Sequence, residues 1–202
     1  MATRVSSRLF SHVSGIHRRR FHASIHVKNQ KSIPHKDLAY LHFHPISSGQ
    51  PSATSKYALS YLSSNDVPSG KSLKDHSELV IGWSPETTLE PRTFVDNAAF
   101  VDFMTNVLKE NIHRVNDPVL KSLAEWQKEG WMHIADERDP PAWGRIPFPE
   151  DIVGTVLVKD GVIQPNTYQA MPAHRLVTAH GIFQLPESLT KVLIDAAKKR
   201  IK

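Results

Sequence analysis

The sequence predicts an α+β fold: small antiparallel sheets packed with an amphipathic helix pair and a C-terminal helix. Three observations predict it. Residues 152–158 read IVGTVLV, β-branched and apolar as a buried strand requires, and Lys159-Asp160-Gly161 behind them offers Asp-Gly hairpin chemistry. Phe100, Phe103, Met104, Val107, Leu108 and Ile112 recur at helical spacing, with Asp102, Asn106, Lys109 and Glu110 opposite. Strand-like segments stand before and after a helical pair, and a closing helix follows.

In chain order, Leu38, Tyr40, Leu41, Phe43 and Ile46 open the body, and residues 48–55 form a Ser/Gly/Pro loop. Residues 57–62, YALSYL, alternate as a strand does. Residues 63–77 are polar with Pro68 and Gly70 and read as an exposed loop. Leu79-Val80-Ile81-Gly82-Trp83 is a further apolar strand, so a two- or three-stranded meander is expected. Residues 84–93 connect, carrying Pro85 and Pro91. Asp96 or Asn97 caps the first helix. The second has Asp117 as cap and Pro118 in its first turn, and is expected to end at Gly130; Val119, Leu120, Leu123, Ala124 and Trp126 are its apolar residues.

Trp131-Met132-His133-Ile134 reads as a short half-buried strand. Asp136-Glu137-Arg138-Asp139 then breaks the pattern, and Pro140 and Pro141 remove two backbone donors. Gly144, Pro147 and Pro149 keep the path extended and irregular, because a residue before proline is pushed out of the helical region. Val162-Ile163 returns the hairpin, and Pro165-Asn166 makes another turn. Leu176-Val177-Thr178 is a short strand, and His180-Gly181 turns into residues 182–185. The last helix starts between Pro186 and Ser188, with Leu189, Val192, Leu193 and Ala196 as its stripe. Lys198, Lys199, Arg200 and Lys202 sit at its end, where cations complement the helix dipole.

The 202 residues suffice for a domain with a sizeable core, and 40% hydrophobic with 22% charged is ordinary globular composition. No internal repeat is visible, and no apolar run approaches the roughly 20 residues a membrane-spanning helix needs. The absence of cysteine excludes disulfides, thiolate catalysis and Cys-based metal sites. Residues 1–33 read as a disordered mitochondrial transit peptide, leaving 34–202 as one α+β domain. Arg4, Arg8, Arg18, Arg19 and Arg20 fall there among serines, and no acid precedes Asp37. Arg19-Arg20-Phe21 resembles a processing site. The net charge of +5 is that leader's: without those five arginines the chain holds as many basic as acidic residues. A nucleic-acid partner is therefore not expected.

Motifs for chemistry are weak. Gly70-Lys71-Ser72 lacks the phosphate loop's earlier glycine, since Asn65 stands in that position. There is no Gly-x-Ser-x-Gly, and no motif asks for a cofactor. His42-x-His44 puts two imidazoles on one face of a strand; with His133, His174, Asp136 or Glu137 they would make an all-N/O metal site. In a chain with 12 histidines such a pair also arises by chance. Asp136, Glu137, Asp139, Glu150 and Asp151 cluster near Arg138 and Arg145. Paired carboxylates serve acid–base chemistry when burial splits their pKa values, but they equally bond arginine and loop amides and fix a Pro-rich loop, the preferred reading. Trp143, Trp131 and Tyr168 near Arg145 suggest base stacking, which the neutral body argues against.

Several runs resemble a group of uncharacterised fungal mitochondrial proteins: Trp131-x-His133-Ile134-x-Asp136-Glu137-Arg138, Gly144-Arg145-Ile146-Pro147, Pro149-Glu150-Asp151-Ile152, Thr167-Tyr168-Gln169-x-Met171-Pro172 and Arg175-Leu176-Val177-Thr178. The resemblance implies mitochondrial residence and carries over no catalytic residue.

The expectation is thus a soluble, non-catalytic protein of the matrix or the matrix face of the inner membrane. It would dock on a mitochondrial protein complex through Trp131, Asp136, Glu137, Arg138, Trp143, Arg145, Tyr168 and Arg175, together with the C-terminal helix. The alternative is a small metal- or ligand-dependent enzyme using His42, His44, His133 and the Asp136/Glu137 pair.

Overall fold

Five short antiparallel strands form the first sheet: β1 (Ile33–Pro34), β2 (His42–Pro45), β3 (Tyr57–Ser60), β4 (Gly82–Ser84) and β5 (Val95–Asp96), in spatial order of sequence. The computed structural model describes residues 31–46, 54–142 and 145–202. The expected transit peptide thus falls almost wholly outside the described residues. Its last residues do not: Ser32 and Ser64 exchange N–H to hydroxyl bonds of 2.7 and 2.9 Å, and Ile33 pairs with Phe43.

The sheet is wider than the two or three strands expected, because β1 and β5 are two-residue additions at its edges. Ladder pairing creates them, and they carry too few residues to show a period. The expected strand over 79–83 is displaced. Ser77–Leu79 is a 3-10 turn, and pairing begins at Gly82. The cause is Asn97, whose side-chain amide donates to the Ser77 and Val80 carbonyls at 2.7 and 2.6 Å. Ile81 stays fully buried, its N–H donating to Leu59 across the sheet.

Asn97 also caps α1 (Ala98–Asn111), its Oδ1 accepting from the Ala99 N–H. Phe100, Met104, Val107 and Leu108 are the buried face. Asp117 caps α2 (Pro118–Gln127) by accepting from the Val119 and Leu120 N–H groups, both at 3.0 Å. This helix ends at Gln127, where Lys128 turns to φ 67°, short of the expected Gly130.

Gly130 instead opens β6 (Gly130–Ala135), which pairs antiparallel with β7 (Ile152–Lys159). Positive φ at both Asp160 and Gly161 returns the chain as β8 (Val162–Ile163), as the Asp-Gly chemistry predicts. β9 (Gln169–Ala170) also pairs with β7, completing a four-stranded sheet. β10 (Val177–Thr178) and β11 (Gly181–Ile182) form a separate hairpin, and α3 (Glu187–Ile201) closes the chain. One hydrophobic cluster joins both larger sheets and all three helices. Phe43, Leu59, Phe100, Met104, Leu120, Ile134, Val156, Phe183 and Leu193 are among its members.

Gly154 lets Tyr168 lie flat against β7. A Cβ there would meet the Tyr168 ring at 2.5 Å and the Gln169 carbonyl at 2.6 Å. The tyrosine's hydroxyl donates to the Val153 carbonyl at 3.2 Å, and the side chain is buried. Gly154→Ala should therefore lower stability by about 1–3 kcal/mol through overpacking. Urea unfolding checks this, and an unchanged midpoint would mean that the ring does not hold its place.

Candidate functional site

The β6–β7 ladder shifts register between Ile134 and Ala135, and just beyond it the Asp136 N–H donates to the Asp151 carbonyl. The two ends of the acidic, Pro-rich loop are thereby closed into a neck. Arg138 fills it. Its Nε and Nη2 donate to Asp151 Oδ1 at 3.1 and 3.0 Å, and Nη2 also reaches the Glu150 carbonyl at 3.2 Å. Nη1 donates to the carbonyls of Leu176 and Gly181 at 3.2 and 3.3 Å. A guanidinium has five N–H donors, and these bonds engage all five. The side chain is wholly buried.

Asp136 is the second centre. It is fully buried, with Oδ1 accepting from the N–H groups of Arg138 and Gln184 at 3.0 and 2.9 Å. Oδ2 meets His174 Nε2 at 3.0 Å and Arg138 Nε at 3.5 Å. The carboxylate places the imidazole proton on Nε2, and the ring stands edge-on to Phe183 at 5.9 Å. Burial pushes the Tyr61 phenol well above its ordinary pKa, and the neighbouring Tyr40 and the Asp136 carboxylate add to it. The partial burial of Glu137, then Asp117 and Asp136, likewise raise its pKa, although the residue as a whole stays exposed. The charged groups at this centre face protein partners. Its chemistry is the fixing of loop, hairpin and β-sheet to one another.

The expected contact surface therefore divides. Asp136, Arg138 and Tyr168 are interior and offer nothing to a partner, a correction with a plain cause: their polar atoms are consumed by the chain's own amides, carbonyls and charges. Glu137, Arg145 and Arg175 are exposed. Trp131 is half-exposed on the outer side of β6, opposite Leu157. Trp143 lies outside the described residues. The sequence reading missed Ile146 and Phe148, 74% and 73% exposed. The signal was present: alternation with Pro147 and Pro149 denies them any strand or helix in which to be buried.

The alternative metal pocket is not assembled. His42 and His44 lie in the first sheet and His133 in the second, and no group of three or more His, Asp or Glu among the described residues is placed to hold a metal ion. His44 Nε2 instead donates to the Leu62 carbonyl at 2.7 Å. Burial lowers its pKa, partly offset by that bond, and His42 lowers it further. The basic end of α3 is also used internally. Lys198 pairs with Asp66 at 3.1 Å, Arg200 with Glu78 at 2.9 Å, and Lys71 donates to the Lys202 carbonyl.

Comparison of the chain with protein-family models, with curated proteins and with solved structures finds no match in any of the three.

Two outcomes follow from this geometry. Arg138→Met strands the buried Asp151 carboxylate and three carbonyls, and should cost about 3–5 kcal/mol in urea unfolding. Adding Asp151→Leu should recover part of that loss, and a double variant less stable than the single would refute the pairing. For His44, the neutral ring is favoured in the folded state, while the unfolded chain titrates near the ordinary value of about 6.5. Its contribution is therefore complete above that pH and is lost as pH falls below it toward the depressed folded value. His44→Gln should flatten the fall of urea midpoint below about pH 6.5; an identical pH profile would rule the effect out.

Proposed function

We propose that this protein is a soluble, non-catalytic mitochondrial accessory factor. It docks on a larger assembly, such as the mitochondrial ribosome or a respiratory complex, through the loop between Asp136 and Asp151. One observation carries the reading: Ile146 and Phe148 stand in solvent on a segment whose neck is locked by Arg138. An apolar pair on an anchored, proline-stiffened loop loses little conformational freedom when a partner covers it. Burying each side chain contributes ~1.5–3 kcal/mol. Arg145 beside them is exposed, and arginine with aromatics is enriched at interfaces. The acid-free, Arg-rich start of the chain supports mitochondrial residence.

The basic tail of α3, tied to Asp66 and Glu78, is left out of the docking surface. A second reading, a small ligand-dependent enzyme, is favoured by the Asp136–His174 pair, the form in which a carboxylate orients a general base.

The test is a sizing gradient of gently solubilised mitochondria. The wild-type chain should co-migrate with a large complex. The Ile146→Ser, Phe148→Ser double variant should move to the position of the free chain with an unchanged melting temperature. Wild type migrating alone would end the docking reading.

A further inference from the structure

A cavity of about 530 Å³ opens between the start of the first sheet, the connection from β4 to β5, and the β10–β11 hairpin. Small-molecule sites span roughly 300–1,000 Å³. Leu38, Phe43, Leu89 and Ile182 give it an apolar body, and His35 and the exposed Lys36, Thr87 and Thr88 are the donor-bearing residues of its lining.

His35 is the best-defined of these donors. Its Nδ1 accepts from the backbone N–H groups of Asp37 and Leu38 at 3.2 and 3.3 Å, so this nitrogen carries no proton. The ring N–H is therefore on Nε2. The imidazole is stacked on Phe43 at 5.8 Å, and the residue's own N–H is fixed on the Leu41 carbonyl. Among the described residues no protein acceptor takes the Nε2 N–H. Burial lowers the pKa of His35, which keeps it a neutral donor. The charge of the lining is small. Asp37 is its one acid and lies 3.6 Å from Lys36, and His180 faces Asp139 outside the lining at 3.3 Å. One lysine is too little for a polyphosphate, whose recognition draws on clustered cations. Neutral donors, with one solvent-exposed lysine at the rim that is shared with Asp37, suit at most a single carboxylate.

The far wall is held in place from within. Arg138 bonds the carbonyls of Leu176 and Gly181, on either side of the hairpin turn, and Gln184, another lining residue, donates its N–H to Asp136.

We propose that this cavity binds a small monocarboxylate with an apolar body, its carboxylate accepting from His35 Nε2 beside Lys36, Thr87 and Thr88. The site shares the Arg138 support with the docking loop but none of its exposed side chains, so ligand binding and docking can each fail alone.

The test is an amide NMR titration of the full ¹⁵N-labelled chain with octanoate and with 2-naphthoate. Saturable shifts are expected at Leu38, Gly181 and Ile182, with a Kd of roughly 1 mM or tighter. The uncharged 2-naphthamide should bind about tenfold more weakly, the loss of one charge-assisted hydrogen bond. His35→Phe keeps the ring stack and removes the donor, and should weaken 2-naphthoate by a similar factor of about ten. Because that change also frees the Asp37 and Leu38 amides, a second variant avoids them. Ala179→Trp, at an exposed lining position, fills the cavity and should abolish the shifts. No saturable shift with either acid, equal binding of the amide, or shifts unchanged in Ala179→Trp would each overturn the proposal.

Discussion

The structure depends on one desolvated guanidinium. Taking Arg138 out of water is costly, and only near-complete satisfaction of its donors makes the site tolerable. Asp151 supplies the charge, Asp136 supplies a second carboxylate at longer range, and three carbonyls take the remaining N–H groups. These acceptors come from the end of the Pro-rich loop, from the residue before β10 and from the first residue of β11. None of those segments has enough regular structure to place itself. The four-stranded sheet has a ladder of its own along β6 and β7, but the chain beyond its ends is positioned by hydrogen bonds to charge.

Asp136 extends the same logic. Its carboxylate gathers the Arg138 and Gln184 amides and the His174 ring, so three remote pieces of chain meet at one side chain. Asp117 repeats the device on a smaller scale, capping α2 with one oxygen and accepting from the Ser188 hydroxyl of α3 with the other. Ser60 ties β3 to the Leu79 carbonyl, and Asn97 ties the 3-10 turn to α1. Buried polar groups thus make the long-range joins that short strands cannot.

This explains what was legible in the sequence. The first two helices were readable because each carries both a period and a cap, Phe100 to Ile112 behind Asn97 and Leu120 and Ala124 behind Asp117 and Pro118, and α3, without a side-chain cap, by its period alone. β7 and its Asp-Gly return were readable because strand chemistry and turn chemistry are both local. The two-residue strands were not, since pairing alone makes them strands. Nor was the division of the loop's charges. Arg138 and Arg145 sit in the same polar run, yet one has all five donors engaged and the other is exposed. That choice is made by Asp151, Leu176 and Gly181, which lie 13 to 43 residues away along the chain. Tyr168 was expected at the surface because its partner, the bare backbone at Gly154, is visible only once β9 pairs with β7.

The histidines show the same limit from another side. The His42-x-His44 spacing suggested a metal, but imidazole is also a versatile joiner of loops. His35 accepts from two amides, His44 donates to a carbonyl, and His174 donates to a buried carboxylate. The docking loop and the far wall of the cavity both rest on Arg138, so its loss disturbs both at once. A phenotype at Arg138, Asp136 or Asp151 reports only that the support has gone, whatever the protein does. Discrimination belongs to side chains that support nothing: Ile146 and Phe148, which stand in solvent on the loop, and Ala179, which is exposed at the cavity wall. Truncating or enlarging these leaves the buried charges satisfied, and any change in assembly or ligand binding is then a property of the surface itself.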